Sequence, residues 1–154
     1  MYAISAAVLS SCATAPPLPP SFGNLGDLAP EQEVVMAHDF VQQLLTLFPP
    51  SQSRLNLRHP TPDAFGVALI GALRGNGYAV SEYAGPHPPR GTGEPERQNR
   101  DQRADAGVDL RYIVDRPEPD LYRVTVFVAG QSLSRAYTLS RGQFLPFGAW
   151  VRKE

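Results

Sequence analysis

Between Val108 and Leu139 the chain alternates, and alternation at period two dictates a sheet. In VDLRYIV, the residues Val108, Leu110, Tyr112 and Val114 share one face. In LYRVTVFVA, Tyr122, Val124, Val126 and Val128 do the same. Pro117 to Asp120 turn the chain between these two segments, and Gly130-Gln131 signals a hairpin before the returning strand SLSRAYTL. Three strands joined by short turns make an antiparallel meander with one apolar face. That face needs a cover, and the sequence upstream supplies it.

From Glu31 to Phe48 apolar residues recur at Val34, Val35, Ala37, Phe40, Val41, Leu44, Leu45 and Phe48, a wide helical stripe. Asp27 stands where a cap is useful, Pro30 suits a first turn, and Glu31 and Glu33 favour the dipole at that end. Pro49-Pro50 ends the helix. SRLNLRH reads as a short strand with Leu55 and Leu57 on one face. A second helix is predicted over about Pro62 to Gly75, capped by Thr61, with Phe65, Leu69, Ala72 and Leu73 inward. Gly75-Asn76-Gly77 stops it, and YAVSEY alternates as a further strand. GAWVRKE reads as a last short strand at most. The predicted order is α-β-α-β-β-β-β, an α+β domain with two helices packed on one face of a small, mainly antiparallel sheet.

Two regions escape this pattern. Residues 85–107 have no apolar period and mix charges, and are read as a mobile insertion. Its arginines 90, 97, 100 and 103 interleave with Glu94, Glu96, Asp101 and Asp105, a solvated polyampholyte and no nucleic-acid tail. The formal net charge of −1 agrees with that.

The other region holds the single cysteine of the chain. MYAISAAVL is a short apolar run, followed by Ser10, Ser11 and Cys12. Leu9, Ser10, Ser11 and Cys12 resemble a bacterial lipobox: an aliphatic residue, two small residues, then the cysteine whose thiol takes up a diacylglyceryl group. No Lys or Arg precedes Cys12, although a leader normally opens with positive charge. Residues 1–11 are therefore read as a truncated signal peptide whose start lies upstream of Met1. Residues 12–29 are a lipidated, Pro-rich linker, and 30–154 the folded domain. A linker over 13–29, extended at ~3.1 Å per residue, reaches about 50 Å. Ala13 after the cysteine points to the periplasmic face of the outer membrane of a Gram-negative cell.

Residues with catalytic potential do not assemble in the sequence. One cysteine excludes an internal disulfide and a cysteine-rich metal site. His38, His59 and His87 have no partner at ligand spacing, so neither metal nor cofactor is expected. Ser51, His59 and Asp63 carry no nucleophile-elbow motif. Gly91-Thr92-Gly93 lacks the lysine of a phosphate loop. Phe144, Phe147 and Trp150 either close the core at the sheet end or form an exposed docking surface; aromatics at a sheet end more often close it.

Four stretches, LLTLFPPSQSRLNL, TPDAFGVALIGALRGNGYAVSEY, YRVTVFVAGQSLSRAYTL and PFGAWVRKE, together resemble the TrbH family of conjugal transfer lipoproteins, from about Glu31 to Glu154. The helix DAFGVALIGALRGNGYAV and the LSRAY and GAWVRKE endings are the most specific parts. The resemblance implies a non-enzymatic, structural or assembly role beside other mating-pair formation and type IV secretion proteins, with Cys12 as the lipid-bearing residue. It implies a membrane attachment through lipid, and the charge pattern above predicts no direct contact with nucleic acid. The competing classes are a periplasmic lipid-anchored binding or inhibitor module, which needs a concave polar pocket, and an envelope hydrolase, which needs a converging acid-base set.

Overall fold

A computed structural model describes residues 22–85 and 107–154. Leu9, Ser10, Ser11 and Cys12, the first part of the linker and nearly all of the 85–107 insertion lie outside the described residues. The elements run β1 (Gly23–Asn24), α1 (Pro30–Leu47), β2 (Arg54–Leu57), α2 (Ala64–Gly75), β3 (Ala79–Ser81), β4 (Val108–Glu118), β5 (Leu121–Val128), β6 (Gln131–Ser140) and β7 (Gln143–Lys153), with a 3-10 turn at Pro50–Gln52. The fold is α+β. Its sheet order is β3-β2-β4-β5-β6-β7, with β1 pairing β4 beside β2.

The sheet is mostly antiparallel. β4 through β7 form a four-stranded meander, one strand longer than the alternation predicts. The last strand is not a short GAWVRKE segment but eleven residues, Gln143–Lys153. Pro146 and Gly148 hide it from pattern reading, because both are poor strand residues and Gly148 sits at a positive φ of 85° in a bulge opposite Arg135. The remaining pairings, β1 with β4, β2 with β3 and β2 with β4, are parallel. Of the meander's three turns, Pro119-Asp120 makes one, and the other two, Ala129-Gly130 and Arg141-Gly142, each have φ near 52° and then 76°. Positive φ at both central residues matches the twist of the flanking strands.

One face of the sheet is dry. Leu110, Tyr112 and Val114 on β4, Tyr122, Val124, Val126 and Val128 on β5, and Leu133 and Tyr137 on β6 are all buried, as the alternation predicts. The two helices cover them. α2 presents Phe65, Leu69, Ala72 and Leu73 as expected. α1 is rotated from its predicted phase: Glu33 and Met36 point inward, while Val34 and Val35 are 37% and 45% exposed. Met36, Phe40 and Leu44 stack at four-residue intervals and set that phase.

The caps also differ from expectation. Asp63, not Thr61, caps α2, its Oδ1 accepting from the Gly66 N–H at 2.8 Å. Asp27 does not cap α1; Ala29 holds that position, and Gln32 reaches back to accept from its N–H at 3.4 Å.

The end of the linker is part of the folded body. Gly23 and Asn24 pair with Ile113 and Val114, and the Leu25 and Gly26 N–H groups both donate to Val114 O. Leu28 is buried. Residues 22–29 dock because β2 covers only the first half of β4's free edge, leaving the carbonyl of Val114 to accept from Leu25 and Gly26 instead. Residues 22–29, read as linker from composition, thus belong to the folded body.

Candidate docking surface

The three C-terminal aromatics separate once the register is known. Phe144 and Trp150 point to the helix side. Phe144 stacks on Tyr137 with centroids 5.5 Å apart and planes 3° from parallel, and meets Tyr122 edge-on at 5.7 Å. Trp150 meets Phe40 of α1 edge-on at 5.7 Å. Phe147 lies on the opposite face and is 62% exposed. Two of the three therefore pack toward the core, and Phe147 remains exposed on the other face.

A polar network fixes β7 to the helices. Tyr137 is fully buried, and its hydroxyl donates to Asp39 Oδ2 at 2.5 Å. Arg135 Nη1 donates to both oxygens of Asp39, at 2.9 and 2.8 Å, while its Nε donates to Gly148 O at 3.0 Å. The guanidinium also lies over the Trp150 ring, 5.9 Å from its centroid. Burial, then the Asp39 carboxylate, pushes the Tyr137 hydroxyl well above its ordinary pKa, so it stays a donor. One carboxylate on α1 thus gathers Arg135 and Tyr137 from SLSRAY and, through Arg135, Gly148 and Trp150 from PFGAWVRKE. Sequence reading placed Asp39 only as the neighbour of His38 and missed this role. An acid in a helix followed far downstream by an R-x-Y pair is too weak a signal to find it.

A second network sits at the start of α2. Glu33 is 4% exposed, and its Oε2 accepts from the Phe65 N–H at 2.8 Å. Burial raises its pKa, and that backbone donor opposes the shift. Tyr112 donates to both oxygens of Asp63, at 2.9 and 2.8 Å. Burial first, and the Asp63 carboxylate second, raise the Tyr112 pKa. Gly66 is required here, because a Cβ would strike the Tyr112 hydroxyl and lie 2.7 Å from Thr61 Cβ.

Beside it, His59 is 6% exposed, and among the described residues neither ring nitrogen has a hydrogen-bond partner. It packs between Phe22 at 5.5 Å and Tyr112 at 4.5 Å. Burial lowers its pKa, so it sits there neutral. Ser51 is exposed on its 3-10 turn, and Asp63 is engaged by Gly66 and Tyr112, so Ser51, His59 and Asp63 form no relay. Among the described residues no group of three His, Cys, Asp or Glu converges as a metal would need, and no helix is long and apolar enough to cross a membrane. Glu94, Glu96 and the basic run around them lie outside the described residues.

The helices carry an open groove of about 860 Å³ between their outer sides, lined by Val34, His38, Val67, Ala68, Gly71 and Gly75 among others. Its lining is mostly apolar, with His38 and Asn76 as polar groups.

A family model described as conjugal transfer protein TrbH matches residues 20–154. Neither the curated proteins nor the solved structures contain a match.

Proposed function

Because this chain belongs to the TrbH family of conjugal transfer proteins, we propose that it is a lipid-anchored structural component of a mating-pair formation apparatus, held at the periplasmic face of the outer membrane. The family match over residues 20–154 carries the reading. It begins after the lipobox-like Leu9-Ser10-Ser11-Cys12, which supports the anchor independently of the folded domain. Acylated Cys12 would hold the protein through two or more chains, at ~0.8 kcal/mol per buried methylene, enough for stable attachment. The domain then works at high effective concentration near the membrane, where modest contacts with other secretion components suffice.

The residues that typify the family resemblance support a scaffold. Arg135, Tyr137, Gly148 and Trp150 are used for bracing β7 against α1, and their partners are the protein's own. Such bracing keeps an outer strand in register so that it presents a fixed surface.

Intact mass and detergent partitioning of the protein expressed from an extended start in a Gram-negative host test the anchor. The expected product begins at Cys12, carries acyl mass and fractionates with the outer membrane. In the conjugative host, Cys12→Ser is expected to lower transfer frequency; unchanged transfer with confirmed loss of lipid would show the anchor to be dispensable and overturn the mechanism.

A further inference from the structure

The register sorts the open face of the sheet into cross-strand rows. One row reads Arg111, Phe127, Ser132, Lys153; the next reads Ile113, Thr125, Ser134, Val151; a third reads Asp115, Arg123, Ala136, Phe147. The centre is small or hydroxylated, with Thr125 and Ser134 bonded to each other at 2.9 Å. The outer strand is apolar and bare: Leu145 is 46% exposed, Phe147 62% and Val151 64%. Neither helix covers this side.

Charge on this face is unevenly satisfied. Asp109 is paired with Arg58 at 2.6 Å and Asp115 with Arg123 at 2.5 Å. Arg111 and Lys153 make no ion pair among the described residues. The chain is nearly neutral overall, so the surplus arises from placement. Exposed aliphatic and aromatic groups rimmed by unpaired cations fit a surface that is apolar inside and anionic outside.

The first described residue, Phe22, sits at the edge of this face, between buried His59 and the open rows. Phe22 lies against the first row, meeting Phe127 edge-on at 6.0 Å, with the Arg111 guanidinium 5.3 Å from its ring centre. Between Cys12 and Phe22 the tether spans at most about 30 Å when extended. A tether that starts at Phe22 would hold this edge of the open face within that distance of whatever holds Cys12.

We propose that the open face of the sheet, centred on Leu145, Phe147 and Val151 of β7 and rimmed by Arg111 and Lys153, lies against an anionic phospholipid bilayer. The argument from the tether rests on the lipid-anchor reading above; the arguments from exposure and charge do not. Contact at this face would orient the domain, leaving the groove between α1 and α2 facing the periplasm.

The test uses the full chain as Cys12→Ser, so that no acyl group contributes. Its co-sedimentation is compared on vesicles of phosphatidylethanolamine with phosphatidylglycerol and on vesicles of phosphatidylcholine alone. Binding is expected to favour the anionic vesicles and to weaken with added salt. The double substitution Phe147→Ser/Val151→Ser is expected to reduce it by about ten-fold or more, since each removes a largely exposed apolar side chain from the contact. Val67→Ser, at a 62% exposed position on α2, is expected to bind like its parent. Absence of binding, or equal loss in the Val67 variant, would overturn the proposal. So would a concentration-dependent dimer that the β7 double variant abolishes while vesicles bind nothing; that result assigns the face to a second copy. Acyl mass on wild-type protein without vesicle binding by the unacylated chain leaves the anchor standing and removes this face from the membrane. The opposite pair of results does the reverse.

Discussion

Asp39→Ala should cost the fold more than any local contact on α1 suggests, because the carboxylate serves two residues of a distant strand. Tyr137 is fully buried, so removing Asp39 orphans its hydroxyl, at about 1–3 kcal/mol. The Asp39 and Arg135 side chains are 25% and 21% exposed, so water screens them. Breaking that pair therefore falls well short of the ~3–5 kcal/mol of a fully buried one and adds about 1 kcal/mol. The total is roughly 3 kcal/mol. Tyr137→Phe removes the donor together with its need for an acceptor, and leaves Asp39 bonded to Arg135, so it should cost about 1.5 kcal/mol. In the Tyr137→Phe background, Asp39→Ala has no hydroxyl to orphan and should fall to about 1 kcal/mol, a coupling energy of roughly 2 kcal/mol. Equilibrium unfolding in urea measures all four proteins, with the slope expected to stay constant. An Asp39→Ala cost below about 0.5 kcal/mol, or additivity of the two substitutions, would refute the claim that this network braces β7.

Two further outcomes concern the other end of the core. Gly66→Ala should destabilise by about 1–3 kcal/mol despite the better helix propensity of alanine, because its Cβ meets the Tyr112 hydroxyl and Thr61. Gly71→Ala, on the same helix with open space at its Cβ, should stabilise by about 0.5–1 kcal/mol, and a reversed order in urea midpoints would contradict the packing described. His59, with its folded-state pKa held below the ordinary 6.5, binds fewer protons folded than unfolded, so its contribution is fully present above that value and is lost as pH falls through the folded pKa. Glu33, raised by burial, works in the opposite sense, its contribution present at low pH and lost as pH rises through its raised value. Urea midpoints between about pH 7.5 and about pH 5.5 should therefore decline in the parent more steeply than in His59→Phe; parallel curves would show that His59 is not held neutral by the fold.

What the sequence disclosed is local. Period-two alternation placed β4 and β5 and named their buried faces, because a half-buried strand writes its environment into every second residue. The apolar spacing of α2 did the same for Phe65, Leu69 and Leu73. The misses share a cause. β7 is an edge strand with one face on the core only at Phe144 and Trp150, so proline, glycine and exposed Phe147 erase its period. β1 has two residues and no pattern at all. The inward turn of Glu33 on α1 depends on the Phe65 N–H of another helix, and Asp39's importance depends on side chains from the far end of the chain. The aromatic trio was treated as one unit because Pro146 and Gly148 kept its segment from reading as a strand; once it is one, alternation alone puts Phe147 opposite Phe144 and Trp150.

The position of β1 has a consequence for the order of assembly. The first strand of the described chain finds its partners at Ile113 and Val114, well into the second half. β2 likewise waits for Val108 to Leu110. A chain that emerges from its N-terminus can form α1 and α2 early, yet neither short strand can settle until β4 arrives, and β4 is steadied by the three strands after it. Contacts this distant in sequence close slowly. Residues 22–29 are thus among the last parts of the described chain to be claimed by the fold, and stay open to solvent and to other molecules until β4 is in place.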